Sequence, residues 1–60
     1  MNLVEANIRE IHSEEIYVRD NKTYVKVDIT INTWGRVQRR EFEFRLSKWE
    51  DAKAKMMFLW

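Results

Sequence analysis

The apolar residues of this 60-residue chain change phase around its single glycine, and that change constrains how the middle of the chain can fold. From Tyr24 to Ile31 the aliphatic side chains Val25, Val27, Ile29 and Ile31 hold the odd positions, the period of a strand with one buried and one wet face. From Arg36 to Leu46 the large apolar residues Phe42, Phe44 and Leu46 hold the even positions, and Arg39, Glu41, Glu43 and Arg45 the odd ones. Both apolar sets reach one face only if paired residue numbers have an odd sum, with Val27 opposite Phe42 and Val25 opposite Phe44. Trp34-Gly35 is then a two-residue turn, or Thr33 to Arg36 a four-residue one, with the glycine where φ is positive. A slip of one residue would turn a whole apolar row into water. On the outer face this register sets Lys26 opposite Glu43 and Asp28 opposite Glu41, with Arg39 and Arg45 as diagonal neighbours.

The chain before this hairpin is less regular. Residues 2 to 11 read as a first strand in which Val4, Ala6 and Ile8 alternate while Leu3 and Ile11 are out of step, which predicts a β-bulge near Arg9-Glu10 or an edge strand with a free outer end. His12-Ser13-Glu14-Glu15 reads as a polar connection, and the lone histidine as a solvated loop residue. Ile16 to Arg19 is a short second strand. Asn21-Lys22 is its expected turn, placing Val18 opposite Val25 and Ile16 opposite Val27, because asparagine tolerates a left-handed backbone. Tyr17 and Tyr24 then lie on the outer face near Arg19 and Lys26, where cross-strand packing is the expectation and a recognition surface the alternative.

Ser47-Lys48-Trp49-Glu50 has the form of a capping box, so a helix is expected from there. Glu50 and Asp51 in its first turn, and Lys53 and Lys55 near its end, suit the helix dipole, and Asp51 and Lys55 are an i,i+4 pair. Trp49, Ala52, Met56, Leu59 and Trp60 fall on one side of the helical wheel and should cover the sheet. The chain is thus expected to be one small α+β domain spanning residues 1–60, a three- to four-stranded antiparallel β-meander with one C-terminal helix packed on one face.

Composition excludes several function classes. There is no cysteine, proline or membrane-length apolar run, so neither a disulfide scaffold nor a thiolate metal site is available. The start, Met1-Asn2-Leu3-Val4-Glu5, has no basic region of the kind a signal peptide needs. A cytoplasmic setting is the expectation, and no membrane association. Asn21-Lys22-Thr23 matches a glycosylation sequon but reads as a turn. The net charge of +1 is unevenly spread, −3 over residues 1 to 15 and +4 over residues 16 to 40. No nucleophile stands with a histidine base, and there is no phosphate loop and no zinc-ligand spacing. Asp28, Glu41 and Glu43 are ringed by Lys26, Arg39 and Arg45, so they read as a charge ladder and not as a metal or acid–base site. An enzyme is not expected, and no cofactor.

Two stretches remain as candidate sites. Met56 to Trp60 is uninterrupted apolar chain that one helical face cannot bury. It either folds over the sheet edge to finish the core or offers Met57, Phe58 and Trp60 as anchors for a protein partner or a second copy. Trp34, Arg36, Arg39 and Arg40 put one aromatic among three arginines, the composition of a base-stacking, phosphate-holding hairpin. Three antiparallel strands backed by a helix also occur in DNA-binding modules such as integrase arm-binding and plant AP2-type domains, a likeness of fold alone. The acids on the same face oppose a phosphate-binding role. The reading from sequence is therefore a small non-enzymatic protein-interaction module, an adaptor or inhibitor able to self-associate. The alternative is a weak nucleic-acid binder using the basic hairpin and outer sheet face. So short a free-standing chain would suit a phage or mobile element.

Overall fold

Alternation and turn chemistry determine the sheet. A computed structural model of the chain describes residues 4–59. It contains β1 (Glu5–Arg19), β2 (Lys22–Thr33), β3 (Arg36–Arg45), α1 (Leu46–Lys55) and β4 (Met57–Leu59). The four strands form one antiparallel, curled sheet in the order β3-β2-β1-β4, an α+β fold. No described helix is long and apolar enough to cross a membrane.

The β2–β3 hairpin has the register that its alternation requires. Val25 faces Phe44, Val27 faces Phe42, Lys26 faces Glu43 and Asp28 faces Glu41. Trp34 and Gly35 form the turn with φ of 56° and 81°, two left-handed residues that match the twist of the flanking strands.

The β1–β2 hairpin corrects three expectations. Its turn is Asp20-Asn21, with φ of 52° and 61°, rather than Asn21-Lys22. Aspartate and asparagine both tolerate that conformation, whereas lysine does not favour it. Pairing is consequently displaced by two residues from the expected register, so that Ile16 faces Val25 and Val18 faces Thr23. Residues 12–15 are not a connection. They lie within a continuous 15-residue strand, broken in register between Ile8 and Glu10 and again between Ile11 and Ser13. The first break is the expected bulge. The second was hidden, because a polar run inside a bulged strand has the composition of a loop. Each bulge adds one residue and shifts the phase, which is how Ile8 and Ile11 both reach the inner face opposite Ile31 and Ile29.

The helix also begins differently. Arg45 is the N-cap in an extended conformation and no side chain caps the helix end, so the Ser47–Glu50 box does not form. Glu50 and Asp51 fall beyond the first turn. Leu46 continues the inner-face apolar row and packs against the core, which draws the helix start forward onto the sheet. Lys53 and Lys55 occupy the last turn, and Lys55 pairs with Asp51 at 3.2 Å. The helix ends at Met56, whose φ of 56° turns the chain into β4. Met56 and Leu59 are therefore not on a helical face, and both are exposed.

Among the described residues the core comprises Ala6, Ile8, Val25, Val27, Ile29, Ile31, Trp49, Ala52 and Phe58. The curl brings the two outermost strands together over it. Phe58 on β4 meets Phe42 and Phe44 on β3 edge-on, each at 5.1 Å between centroids, and Trp49 stacks on Phe44 at 5.5 Å.

Candidate interaction surface

β1 is an inner strand for part of its length and an edge for the rest. Among the described residues β4 pairs with Glu5, Ala6 and Asn7 only, and the Ile8 N–H donates to the Met56 carbonyl at 2.8 Å. The bulges follow, and they disrupt any further ladder. From Ser13 to Arg19 the strand pairs regularly with β2, while its other side meets no strand among the described residues. Register places Glu14, Ile16 and Val18 on the inner face and Glu15, Tyr17 and Arg19 on the outer one. The helix reaches only as far as Glu14, so Ile16 and Val18 are 60% and 70% exposed. The opposite edge is different in kind: β3 carries Arg36, Arg39, Arg40, Glu41, Glu43 and Arg45 among its ten residues, the charged composition that discourages strand addition.

Side chains hold this segment in place from both faces. On the inner face the Glu14 carboxylate accepts from Trp49 Nε1 at 2.6 Å and from Lys53 Nζ at 3.0 Å. These bonds, the indole donor foremost, hold its pKa below the ordinary carboxylate value. On the outer face Tyr17 stacks on Tyr24 at 5.7 Å, and the guanidinium groups of Arg19 and Arg45 lie 5.1 and 5.6 Å from the Tyr24 ring centre. The Tyr17 hydroxyl donates to Glu43, which raises the phenol's pKa because the bond favours the protonated form. Next along the face, Arg39 forks onto Asp28 with bonds of 2.9 and 2.8 Å, and that bond lowers the pKa of Asp28. The outer face is thus a ladder of stacked rings and paired charges. Among the described residues no three metal-ligating side chains come together.

The residues singled out in the sequence are dispersed. Phe58 is buried in the core, Met57 is half-buried and Trp60 lies outside the described residues. Met57, Phe58 and exposed Leu59 line a cleft of about 350 Å³ whose other described walls are Phe44 and the helix residues Lys48, Asp51, Ala52 and Lys55. In the other set, Trp34 stands at the hairpin tip, 90% exposed. Register puts Arg39 on the outer face and Arg36 and Arg40 on the inner one, where Arg40 lies 5.9 Å from the Phe42 ring centre. The three arginines do not form one patch.

The open β1 segment was missed in the sequence. The signal lay in the length of the cover: ten helical residues cannot shield the inner face of a strand of fifteen, so some alternating apolar residues had to stay uncovered. No protein-family model matches the chain, and no curated protein or solved structure is significantly similar to it.

Proposed function

We propose that the chain is a small non-catalytic protein-interaction module, an adaptor or inhibitor, that binds by adding a strand to β1 between Ser13 and Arg19. The observation that carries this reading is the open edge itself, with Ile16 and Val18 exposed beside it at 60% and 70%. In strand addition the backbone ladder supplies affinity, and alternate side chains supply selectivity. The paired charges and stacked tyrosines keep the outer side of the edge ordered before a partner arrives, which lowers the entropy cost of binding.

A display library of short extended peptides tests it. Clones with alternating apolar residues should be enriched, should bind at high salt, and should be lost with Val18→Lys but kept with Arg39→Ala. Enrichment of clones indifferent to Val18→Lys would overturn the reading.

One observation favours a second reading. Trp34 combines 90% exposure with a left-handed φ of 56°, a costly conformation for a bulky residue, and an exposed ring at a hairpin tip can stack on a nucleic-acid base. Quenching of Trp34 fluorescence by a single-stranded oligonucleotide, weakening steeply with added salt, would support that reading. The division of the arginines between two faces weighs against it.

A further inference from the structure

We propose that the occupant of the β1 edge is the same edge of a second copy of this chain, antiparallel to the first about a two-fold axis at Tyr17. This rests on the reading of β1 as the binding edge and names its partner. In an antiparallel pair of identical strands the register that keeps both inner faces on one side must match residues of equal parity. Centring the axis on Tyr17 sets Ile16 opposite Val18 of the second copy and Glu15 opposite Arg19 of the second copy, and the symmetry makes each pair twice. The two most exposed aliphatic residues of β1 are then buried against each other on the inner face, while opposite charges meet on the outer face.

Neighbouring registers do worse. Centred on Ile16, the pairing would set Val18 against Glu14 and Tyr17 against Glu15. Centred on Val18, it would set Ile16 against Asp20 and Tyr17 against Arg19. Only the Tyr17 register uses both aliphatic residues and both charges.

The side chains are available for it. The Glu15 side chain, opposite Lys26 of β2, has no hydrogen bond or ion pair among the described residues. Arg19 meets Glu43 at 3.6 Å and the Tyr24 ring centre at 5.1 Å, with 59% of its side chain exposed, surface contacts that a closer carboxylate can replace. The register has one unfavourable match, Glu14 with Asp20 of the second copy, and it falls where Lys53 already sits on Glu14 at 3.0 Å. The bulges at Arg9 and His12 end the usable edge on one side and the Asp20-Asn21 turn ends it on the other, so the ladder is short and its register defined.

The charges give a test that a general loss of fold cannot imitate. Sedimentation of the intact chain across a micromolar concentration series should give a species of twice its 7.4 kDa mass. Glu15→Arg alone and Arg19→Glu alone place like charges opposite each other, and each should be monomeric at concentrations where the parent is dimeric, with unchanged circular dichroism. Mixing the two variants should restore the dimer, because an all-arginine edge then meets an all-glutamate edge. A dimer that survives both single changes, or variants that stay monomeric when mixed, would overturn the proposed register. A parent chain monomeric throughout would overturn the second copy as occupant. If that monomer still binds extended peptides sensitive to Val18→Lys, the β1 edge remains the binding strand; if it binds none, that reading falls too.

Discussion

Glu14 is, among the described residues, the one acid that the strand registers place on the inner face, and its two donors come from the helix. Trp49 is 1% exposed, so removing the acceptor of its indole N–H leaves a buried donor unsatisfied, a loss of about 1–3 kcal/mol. Glu14→Ala should destabilise by that order, while Glu14→Gln, which can still accept from the indole, should lose less. Because the folded-state pKa of Glu14 is depressed, its contribution is full above the unfolded value of about 4.5 and fades as pH falls through the lower folded value. The acid-induced drop in thermal midpoint should therefore be shallower in Glu14→Gln than in the parent below that pH. A parallel pair of pH curves would mean that the carboxylate is not held in this way. At the hairpin tip, Trp34→Asn should raise stability by up to about 1 kcal/mol, since asparagine accepts the left-handed conformation that tryptophan does not. An unchanged or lowered midpoint would show that the ring stabilises the fold. The glycine of this turn was legible from residue identity, because few other residues suit positive φ. Glu14 was not legible, since its inward direction depends on two bulges that precede it.

At the scale of elements, the strand pairing followed from parity wherever the chain alternates without interruption, as in β2 and β3. Parity failed in β1, where each bulge resets it, and it cannot distinguish registers that differ by two; there the turn residues Asp20-Asn21 decided the pairing. The helix start was misread because a capping box is a local preference, and the packing of Leu46 on the core outweighed it. The bulges have a structural use as well. Bulged strands bend and twist more, and the curl brings Phe58 to Phe42 and Phe44 across the sheet. Deleting His12 removes one bulge without changing the register on either side of it. The shortened strand should pair regularly and curl less, and the aromatic contacts should loosen. His12→Ala keeps the bulge and loses only the 2.7 Å bond to Thr30 and a weak contact with Glu10, worth about 1 kcal/mol or less. The deletion should lower the thermal midpoint further than the substitution does, and equal losses would separate the bulge from the curl.

For the whole molecule, the decisive quantity is how little stability 60 residues can hold. A domain of this size with no cysteine to cross-link it has about 3–5 kcal/mol in reserve. Phe58 closes the core between the two outermost strands, and replacing a buried phenylalanine with alanine costs about 3–5 kcal/mol. Phe58→Ala should therefore leave much of the chain unfolded at room temperature, with a broad or absent thermal transition. Leu59→Ala, one residue along β4 and exposed, should change stability by less than about 0.5 kcal/mol. The pair separates the two roles the sequence allowed for this tail. An interface residue would change the solution mass and leave the monomer's unfolding curve alone, whereas a core residue changes the curve whatever the mass. Burial at Phe58 predicts the second outcome, measured by chemical unfolding at a concentration low enough to keep the chain monomeric. A Phe58→Ala chain that unfolds like its parent under those conditions would mean that the sheet holds its curl without β4, and that the last residues are available to a partner.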